Sequence, residues 1–325
     1  MKVRDRVLAV LEENRGSYIS GEALAKELSV SRNAVWKVIH QLQEAGHEIT
    51  AVPNRGYQLA VGSQTLSPQS IARHLGELPI FPEVFPALPS TNTQLRQRAE
   101  EGAPEGTLLV TEQQTAGRGR FGRTFFSPSG GGIYMSLLLR PKFSAQDALC
   151  ITTCAAVAVC RALEKHCGVS ADIKWVNDVF CHGKKVCGIA TEASLDLESG
   201  GLHYAVLGIG INLFPSEEAV PAELSDIVGT VLSQAPTERD LRSLIIAEIL
   251  AQFWSEYPRL AEKTYFSEYE RRCFVLGKPV DVVRGSERQR ALALSLSPDF
   301  SLRVRYDDGC EELVSSGEVS IRPSL

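Results

Sequence analysis

The first sixty residues carry the pattern that most limits how this chain can fold, because three helical segments are followed at once by a hairpin. Apolar residues recur with a helical period over residues 3–14. Serines that can cap a helix stand at the start of segments 20–28 and 31–44. Residues 48–52 and 57–59 then read as two strands around a Pro-Asn-Arg-Gly turn. This order predicts a winged helix-turn-helix over residues 1–62.

The polar face of segment 31–44 has the chemistry of a DNA-recognition helix. Arg32, Asn33, Trp36 and Lys37 lie opposite its apolar face, and Arg55 stands at the tip of the predicted wing. Such side chains match base edges and phosphates in the major groove. Residues 1–60 hold eight Lys and Arg against seven Asp and Glu, a net charge of +1, so charge alone supports DNA binding weakly. Modules of this shape also serve as protein–protein packing units, and that alternative stays open.

The charge and cysteine content of the whole chain exclude several classes of protein. A formal net charge of −5 means that any nucleic-acid contact must come from a local surface. No signal peptide and no apolar run near the ~20 residues needed to span a bilayer are present, which predicts a cytoplasmic protein with no membrane partner. The eight cysteines form no Cys-x-x-Cys pair, and the spacing around Cys181-His182 favours packing over zinc or a disulfide.

The rest of the chain predicts two further domains. After a polar connector at 61–68, the range 66–272 alternates between strand and helix patterns, with strands expected at 106–112, 133–139, 173–176, 185–192 and 203–212 and helices at 93–100, 149–167 and 239–257. Short alternating strands with an Asp-Asp-Gly turn predict a small SH3-like β-barrel over 275–325. The predicted class is α+β: an N-terminal winged helix-turn-helix, a central α/β domain with a mixed sheet, and the C-terminal barrel.

A glycine- and arginine-rich loop is the first candidate for binding chemistry. Residues 117–123 read Gly-Arg-Gly-Arg-Phe-Gly-Arg and follow a predicted strand. Glycine allows close approach of the backbone to a ligand, and the arginine fork matches phosphate and carboxylate. The spacing fits neither a Walker loop nor a dinucleotide fingerprint. The alternative is a flexible, solvated basic loop.

Polar groups at a helix start and at a strand end form the second and third candidates. Ser90, Thr91 and Asn92 precede a helix, where they can cap it or hold a small polar ligand. Asn177 and Asp178 follow a short strand, where an amide and a carboxylate can bind a ribose, an amine or a magnesium-bound phosphate.

A lysine at a strand entrance and glycines within two strands complete the set. Lys185 can neutralise a phosphate in a transition state, or it can be an ordinary solvated turn lysine. Glycines at 208 and 210 interrupt an apolar strand, which often marks close approach of a ligand or another backbone.

Read in order, these segments resemble the catalytic domain of biotin–protein ligases. The matching segments are residues 117–123, 174–178, 185–189 and 208–212. Together with the winged helix, they resemble the bifunctional members of the family, which also repress biotin genes. The resemblance covers essentially the whole chain and implies that the central domain, 66–272, is the ligase domain.

The resemblance also implies residue roles. The catalytic residues it implies are Lys185, Arg118 and Arg120. The residues implied to bind biotin are Ser90, Thr91, Asn92, Gln113, Gly117, Arg118, Lys185 and Gly188. Those implied to bind ATP or the adenylate are Arg120, Phe121, Arg123, Phe125, Lys174, Asn177 and Asn212, with Asp178 at a Mg²⁺ site. This chain has Val176 where the family usually has proline and Phe125 where a tryptophan often lies beside adenine.

The implied reaction joins biotin and ATP into biotinyl-5′-AMP, releases pyrophosphate, and transfers biotin to a lysine of a carrier such as the biotin carboxyl carrier of acetyl-CoA carboxylase. Mg²⁺ and the cationic side chains would offset the repulsion among the reacting anions. The resemblance further implies a homodimer formed on binding biotinyl-AMP and an operator DNA of biotin genes as a second partner.

Two other protein classes share parts of this pattern. A lipoate–protein ligase would carry His-Asp after its glycine run, whereas here Gly130-Gly131-Gly132-Ile133-Tyr134 is followed by Met135-Ser136. A catalytically inactive biotin-sensing transcription factor would have lost the cationic segments that this chain retains.

Overall fold

The N-terminal module of the computed structural model follows the sequence pattern closely. The structure describes residues 2–119, 122–142, 148–195, 201–315 and 320–323. The module's elements are α1 Val3–Glu13, α2 Gly21–Leu28, α3 Arg32–Glu44, β1 Ile49–Val52 and β2 Gly56–Leu59. The Oγ atoms of Ser20 and Ser31 accept hydrogen bonds from the amides of Ala23 and Ala34, at 3.0 and 3.1 Å, as the caps require. The predicted helix-turn-helix with a hairpin is confirmed.

A buried histidine makes the stability of this module depend on pH. His47 follows α3, and burial, reinforced by Arg4 and Arg15, lowers its pKa from the ordinary 6.5 to about 4. The unfolded chain therefore binds this proton more tightly, so the stabilisation is complete above about pH 6.5 and is lost as pH falls toward 4. We expect wild type to lose roughly 3 kcal/mol more unfolding free energy than His47→Gln across this window. Urea denaturation at several pH values checks this, and parallel pH profiles would contradict it.

The central domain is built on a seven-stranded mixed sheet. Its strands are β3 Phe81–Phe85, β4 Thr107–Thr111, β5 Gly132–Leu139, β6 Asp172–Lys174, β7 Asp178–Cys181, β8 Lys184–Leu195 and β9 Leu202–Asn212. The spatial order is β3-β4-β5-β9-β8-β7-β6, in which β3 and β4 are parallel and all other neighbours are antiparallel. The helices are α4 Pro68–Leu75, α5 Thr91–Glu100, α6 Ala148–Cys167, α7 Leu241–Glu256 and α8 Phe266–Arg272.

The two faces of this sheet are covered unequally. On one face, α6 packs against β7 and β8, and the main apolar core forms there. On the other face, α5 packs against β4, β5 and β9, where Leu95 and Ala99 meet Leu138 and Val206. Because α5 is short, the face above β7 and β8 is left for other groups.

The sequence prediction of one strand over 173–176 is wrong in its second half. Trp175 and Val176 lie in the turn that joins β6 to β7. The indole N–H of Trp175 donates to the carbonyl of Phe300 at 2.8 Å, and the hydroxyl of Tyr269 donates to the carbonyl of Val176 at 3.0 Å. These contacts with distant parts of the chain hold both residues in the turn, where an apolar run read by itself indicates a strand.

The C-terminal segment forms an antiparallel sheet that shares the core of the central domain. Its strands are β10 Pro279–Arg284, β11 Glu287–Leu296, β12 Leu302–Tyr306, β13 Glu311–Val314 and β14 Ser320–Pro323, in the order β13-β12-β11-β10-β14. Val280, Val304 and Phe300 belong to the same apolar cluster as α6. Closure of this sheet into an SH3-like barrel stays a prediction. Among the described residues, no helix has the length and apolar character that crossing a membrane requires.

Candidate functional site

One cross-strand row of the central sheet collects the predicted functional residues on the face that α5 leaves open. Lys174 lies opposite Asp178, Asp178 opposite Gly188, Gly188 opposite Gly210, and Gly210 opposite Tyr134. Residues directly opposite each other in a sheet point to the same face. Segments far apart in the sequence therefore contribute to one surface, and two glycines leave its centre without side chains.

The aromatic ring of Phe125 occupies the space above these two glycines. A Cβ atom on Gly210 would lie 2.4 Å from Cε1 of Phe125, and one on Gly188 would lie 3.0 Å from Cε2. The first distance is shorter than real Cβ contacts, and the second is tighter than nearly all of them. Glycine at both positions is therefore what allows the ring to lie on the sheet.

Phe125 ends the glycine- and arginine-rich loop and anchors it to the sheet. Its amide donates to the carbonyl of Gly117 at 2.9 Å, and the amide of Gly119 donates to the carbonyl of Arg123 at 2.7 Å. The segment thus folds back on itself, with Arg118 and Arg123 exposed to solvent. The predicted site residues Arg120 and Phe121 lie outside the described residues.

A β-bulge brings Lys185 to this same face. Residues three apart on a regular strand point to opposite faces, which would separate Lys185 from Gly188. Here Val179 pairs with Cys187 and Phe180 with Lys185, so Val186 is an extra residue. The Nζ of Lys185 reaches Oδ1 of Asp178 at 2.7 Å, and it lies 3.5 Å from a Cβ placed on Gly188. The ammonium therefore stands beside the ring of Phe125.

The start of α5 forms a second polar group, on the next row of the sheet. Ser90 caps the helix by accepting from the amide of Thr93. The hydroxyl of Ser136 lies 2.7 Å from Oγ1 of Thr91 and 2.6 Å from Oδ1 of Asn92. A Cβ on Gly208 would lie 2.1 Å from that same oxygen. Because Gly208 and Gly210 are two apart on β9, this group lies about 7 Å from the Phe125 row.

The amide of Asn92 has partners within the protein at both ends. Its Nδ2 donates to the carbonyl of Ala190 at 3.1 Å and to Oε1 of Glu192 at 2.9 Å, while Oδ1 faces Ser136. These contacts join the first turn of α5 to β8 and β5.

Of the two adjacent glutamines, Gln114 is the one whose side chain faces the helix start. Its Oε1 accepts from the amide of Thr91 at 2.9 Å and from the hydroxyl of Thr91 at 3.2 Å, and its Nε2 donates to Ser127 Oγ at 3.0 Å. Gln113, the residue named by sequence, contributes a backbone carbonyl that accepts from the amide of Leu88 at 3.1 Å. The sequence analysis named Gln113 and missed Gln114. Neighbouring residues of an extended segment point to opposite sides, so side-chain alternation beyond β4 was the signal that could have distinguished the two.

A cavity of about 280 Å³ opens beside the end of β9. Asn212 lines it, together with Phe126, Tyr134, Phe214, Val228 and Gly229. The amide of Lys185 donates to the carbonyl of Ile227 at 2.8 Å, and the amide of Gly229 donates to the carbonyl of Lys185 at 3.0 Å. The cavity wall is therefore hydrogen-bonded directly to the residue that carries the ammonium.

The remaining polar candidates have structural contacts. Nδ2 of Asn177 donates to the carbonyl of Ile189 at 2.8 Å and ties the β6–β7 turn to β8. Within the described ranges, no group of three or more His, Cys, Asp or Glu side chains is arranged to hold a metal ion. Burial raises the pKa of the Cys181 thiol to about 12, and His182 beside it is exposed, which supports the packing interpretation of this pair.

The predicted DNA-contacting residues lie on an accessible face of the N-terminal module. Arg32, Asn33, Trp36 and Lys37 are exposed on α3, and half of the surface of Trp36 is accessible. The guanidinium carbon of Arg55 lies 4.3 Å from the ring centre of Tyr18. The chain thus presents a recognition-helix face and a separate pocketed sheet face.

Comparison with known proteins gives one consistent result. Residues 84–212 match the biotin/lipoate A/B protein ligase family and residues 3–58 match an HTH domain. The chain is 38% identical over 260 residues to the bifunctional ligase/repressor BirA of Bacillus subtilis (strain 168), with 78% of each chain covered. It is 28% identical over 310 residues to that of Escherichia coli (strain K12), with 94% of each covered. The biotin protein ligase from Aquifex aeolicus in complex with biotin and ATP superimposes with a TM-score of 0.61 at 27% identity, covering 75% of this chain and 99% of that one.

Proposed function

This chain belongs to the biotin/lipoate A/B protein ligase family, among its bifunctional ligase/repressors, and from that premise we propose how its site activates and transfers biotin. The observation that carries the proposal is the pair of neighbouring rows on one sheet face. One row offers neutral hydrogen-bonding groups at the start of α5, and the other offers the Lys185 ammonium beside Phe125. A ligand with a polar neutral head and an anionic tail fits across the two rows.

The neutral head of biotin, its ureido group, binds at the start of α5. Ser90, Thr91 and Gln114 supply hydroxyl and amide groups there. Asn92 fixes this turn of helix to the sheet through its contacts with Ala190 and Glu192. Because Gly188 and Gly117 lack side chains, the Phe125 ring and the loop backbone approach this part of the site closely.

The carboxylate of biotin and the α-phosphate of ATP meet at Lys185. A biotin carboxylate oxygen attacks the α-phosphorus, the bond to the β-phosphate oxygen breaks, and pyrophosphate leaves. Two anionic reactants approach each other in this step and an anionic group leaves, so a positioned ammonium and the guanidinium groups of Arg118 and Arg120 lower the barrier by offsetting repulsion. The ion pair with Asp178 holds the ammonium in place while the site is open.

The nucleotide occupies the cavity beside β9. Asn212 and the apolar rings of Phe126 and Phe214 line it, Lys174 belongs to the adjoining row, and the Phe125 ring lies on the two glycines of that row. We assign contacts with the nucleotide to Phe121, Arg123 and Asn177 as well. ATP would bind as its magnesium complex, in which the ion usually keeps several waters and is held by the phosphates and by one or two protein carboxylates. Asp178 is the carboxylate that fits this role, and the ion would supply further charge neutralisation at the phosphates.

The second step transfers the biotinyl group to a carrier. The amine of a carrier lysine attacks the acyl carbon of biotinyl-5′-AMP, AMP leaves, and the amine gives up its proton to form an amide. The mixed anhydride reacts with water, so the loop of residues 117–125 closing over it protects the intermediate. The acceptor is a carrier protein such as the biotin carboxyl carrier of acetyl-CoA carboxylase, and the reaction takes place in the cytoplasm.

The N-terminal module adds the repressor function. Biotinyl-AMP promotes a homodimer of the ligase domain, which presents two α3 helices to the two halves of an operator that controls biotin genes. Binding of the ligand and formation of the dimer are then coupled equilibria. Ultracentrifugation with and without biotin and ATP measures this coupling as a change in the dissociation constant of the dimer.

A biotin-dependent exchange of labelled pyrophosphate into ATP tests the ligase activity. The full-length protein should catalyse the exchange only with biotin present, and mass spectrometry should find one biotinyl group on the lysine of an apo carrier domain. A catalytically inactive biotin sensor would bind biotin and give no exchange.

Substitution of the recognition helix should separate the two functions. We expect Arg32→Ala to weaken binding to a DNA duplex selected on the wild-type protein with biotin and ATP by about tenfold, because one base or phosphate contact is lost. The pyrophosphate exchange rate should stay unchanged. Arg290→Ala, which removes an exposed arginine from β11, is the matched control. Equal DNA affinity of both variants in gel-shift titrations would contradict the assignment of α3.

A further inference from the structure

Arg242, in the first turn of α7, is among the largest fully buried side chains in the described part of the chain. Its Nε and Nη2 donate to the carbonyl of Gly132 at 3.0 and 2.6 Å. Its Nη1 donates to the carbonyl of Gln64 at 3.1 Å and lies 2.7 Å from Oε2 of Glu112. The side chain is 2% exposed. A charge at this depth persists only when its hydrogen-bonding groups are satisfied, so all of these partners are held in fixed places.

Two of these partners lead directly into the candidate site. Glu112 follows β4 and stands two residues before Gln114, which contacts Thr91. Gly132 begins β5 directly opposite Asn212, which lines the cavity beside β9. The guanidinium of Arg242 therefore fixes the end of β4 relative to the start of β5.

The third partner belongs to the connector between the N-terminal module and the central domain. Besides its carbonyl, Gln64 offers Oε1 to the amide of Arg242 at 3.4 Å, while its Nε2 donates to the carbonyl of Arg239 at 2.7 Å. Oε1 of Glu112 accepts from the amide of Leu66 at 3.2 Å. The connector and the exit of β4 thus share the same cation.

We propose that Arg242 is a positioning residue for the ligase reaction, which acts through Glu112 and Gly132 to hold Gln114 and the start of β5 at the distance that biotin requires. This inference rests on the proposed function, since biotin is the ligand that Gln114 would bind. It assigns a role to a residue 128 positions away in the sequence from the glutamine it positions.

The planar guanidinium fork is the property that this role requires. Arginine donates in several fixed directions at once, whereas the lysine ammonium is a compact charge on a flexible stem. Lysine at this position keeps the positive charge but cannot reach Gly132, Gln64 and Glu112 together. We therefore expect the conservative Arg242→Lys to misplace Gln114 while the domain stays folded.

The test measures pyrophosphate exchange by the full-length protein as a function of biotin concentration. Arg242→Lys should raise the KM for biotin roughly tenfold, with kcat changed less than threefold, because small misplacements of a binding group weaken ground-state contacts. Glu112→Gln, which removes the paired charge and keeps the side-chain size, should raise the KM in the same direction. It serves as the second variant if Arg242→Lys does not fold.

Arg73→Lys is the matched control, because Arg73 of α4 donates to the carbonyl of Glu12 in α1 at 3.1 Å and does not contact the site. Its KM for biotin should stay within twofold of wild type. A normal KM in folded Arg242→Lys and Glu112→Gln, or an equal rise in Arg73→Lys, would overturn the proposal.

A measurement that needs no activity separates this inference from the proposed function. Amide hydrogen exchange of residues 112–119 should be faster in Arg242→Lys than in wild type or Arg73→Lys without any ligand. If the wild-type protein shows no pyrophosphate exchange, the proposed function fails. The difference in amide hydrogen exchange between Arg242→Lys and the other two proteins still decides whether Arg242 has a positioning role. Equal amide exchange in all three proteins rejects it.

Discussion

Replacing Lys185 with alanine should reduce biotin-dependent pyrophosphate exchange by roughly a thousandfold, which is the size of effect expected when a charged group that stabilises transition-state anions is removed. The ammonium lies 2.7 Å from Asp178, on the same sheet face as Gly188 and beside the Phe125 ring. Among the residues that the structure describes, Lys185 is the one whose cationic group the β-bulge at Val186 turns toward the site. Initial-rate measurements at saturating ATP and biotin check the prediction.

The same substitution should change stability little. The Lys185 side chain is 26% exposed, so water screens much of its ion pair, and the unfolding free energy should fall by less than about 1 kcal/mol. Lys184→Ala is the matched control, since the neighbouring lysine is exposed and its Nζ donates to the carbonyl of Ser225. Activity of Lys185→Ala within tenfold of that of Lys184→Ala would reject Lys185 as the group that neutralises the phosphate.

Gly208→Ala should damage the fold and the biotin site together. The new Cβ would lie 2.1 Å from Oδ1 of Asn92, and that amide is held by Ser136, Ala190 and Glu192. Either the first turn of α5 moves or these hydrogen bonds break. We expect a loss of about 3 kcal/mol of unfolding free energy from overpacking and unpaired polar groups, measured by urea denaturation. Biotin affinity measured by calorimetry should fall at least tenfold, since Thr91 shares the displaced turn.

The same methyl group two residues further along β9 provides the control. In Gly210→Ala the Cβ meets the ring of Phe125, a side chain on a surface loop that can swing aside. Stability should fall by less than about 1 kcal/mol there. Equal loss in the two variants would mean that the Asn92 contacts do not constrain the helix start.

The parts of this molecule that sequence predicts well are those determined by neighbours along the chain. The helices of the N-terminal module are given by apolar period and by the serine caps at Ser20 and Ser31, which the structure confirms. The mixed central sheet and the ligase family were also predicted, because the glycine and arginine segments are specific in their order. These features need no knowledge of what is packed against them.

The features that sequence does not predict depend on contacts with distant residues or on the exact residue at which a strand ends. The turn at Trp175 is set by partners in α8 and in the turn between β11 and β12. The choice between Gln113 and Gln114 depends on where β4 ends, a boundary that propensity places only within a few residues. Arg242 sits in an otherwise ordinary helix pattern, and its partners are more than a hundred residues away.

The extra residue in β8 has a consequence for how this gene can change over time. Most insertions and deletions of single codons in an enzyme are judged by whether the loop they fall in can absorb them. Here, loss of the codon for Val186 would leave Lys185 two positions from Gly188 in an ideal strand, so the lysine would keep its face of the sheet. With Val186 present, a strand that paired Val186 with Phe180 would instead turn Lys185 toward α6, so the chain as it stands needs its irregularity. Descendants of this gene could therefore reach the same geometry by losing one codon from this strand.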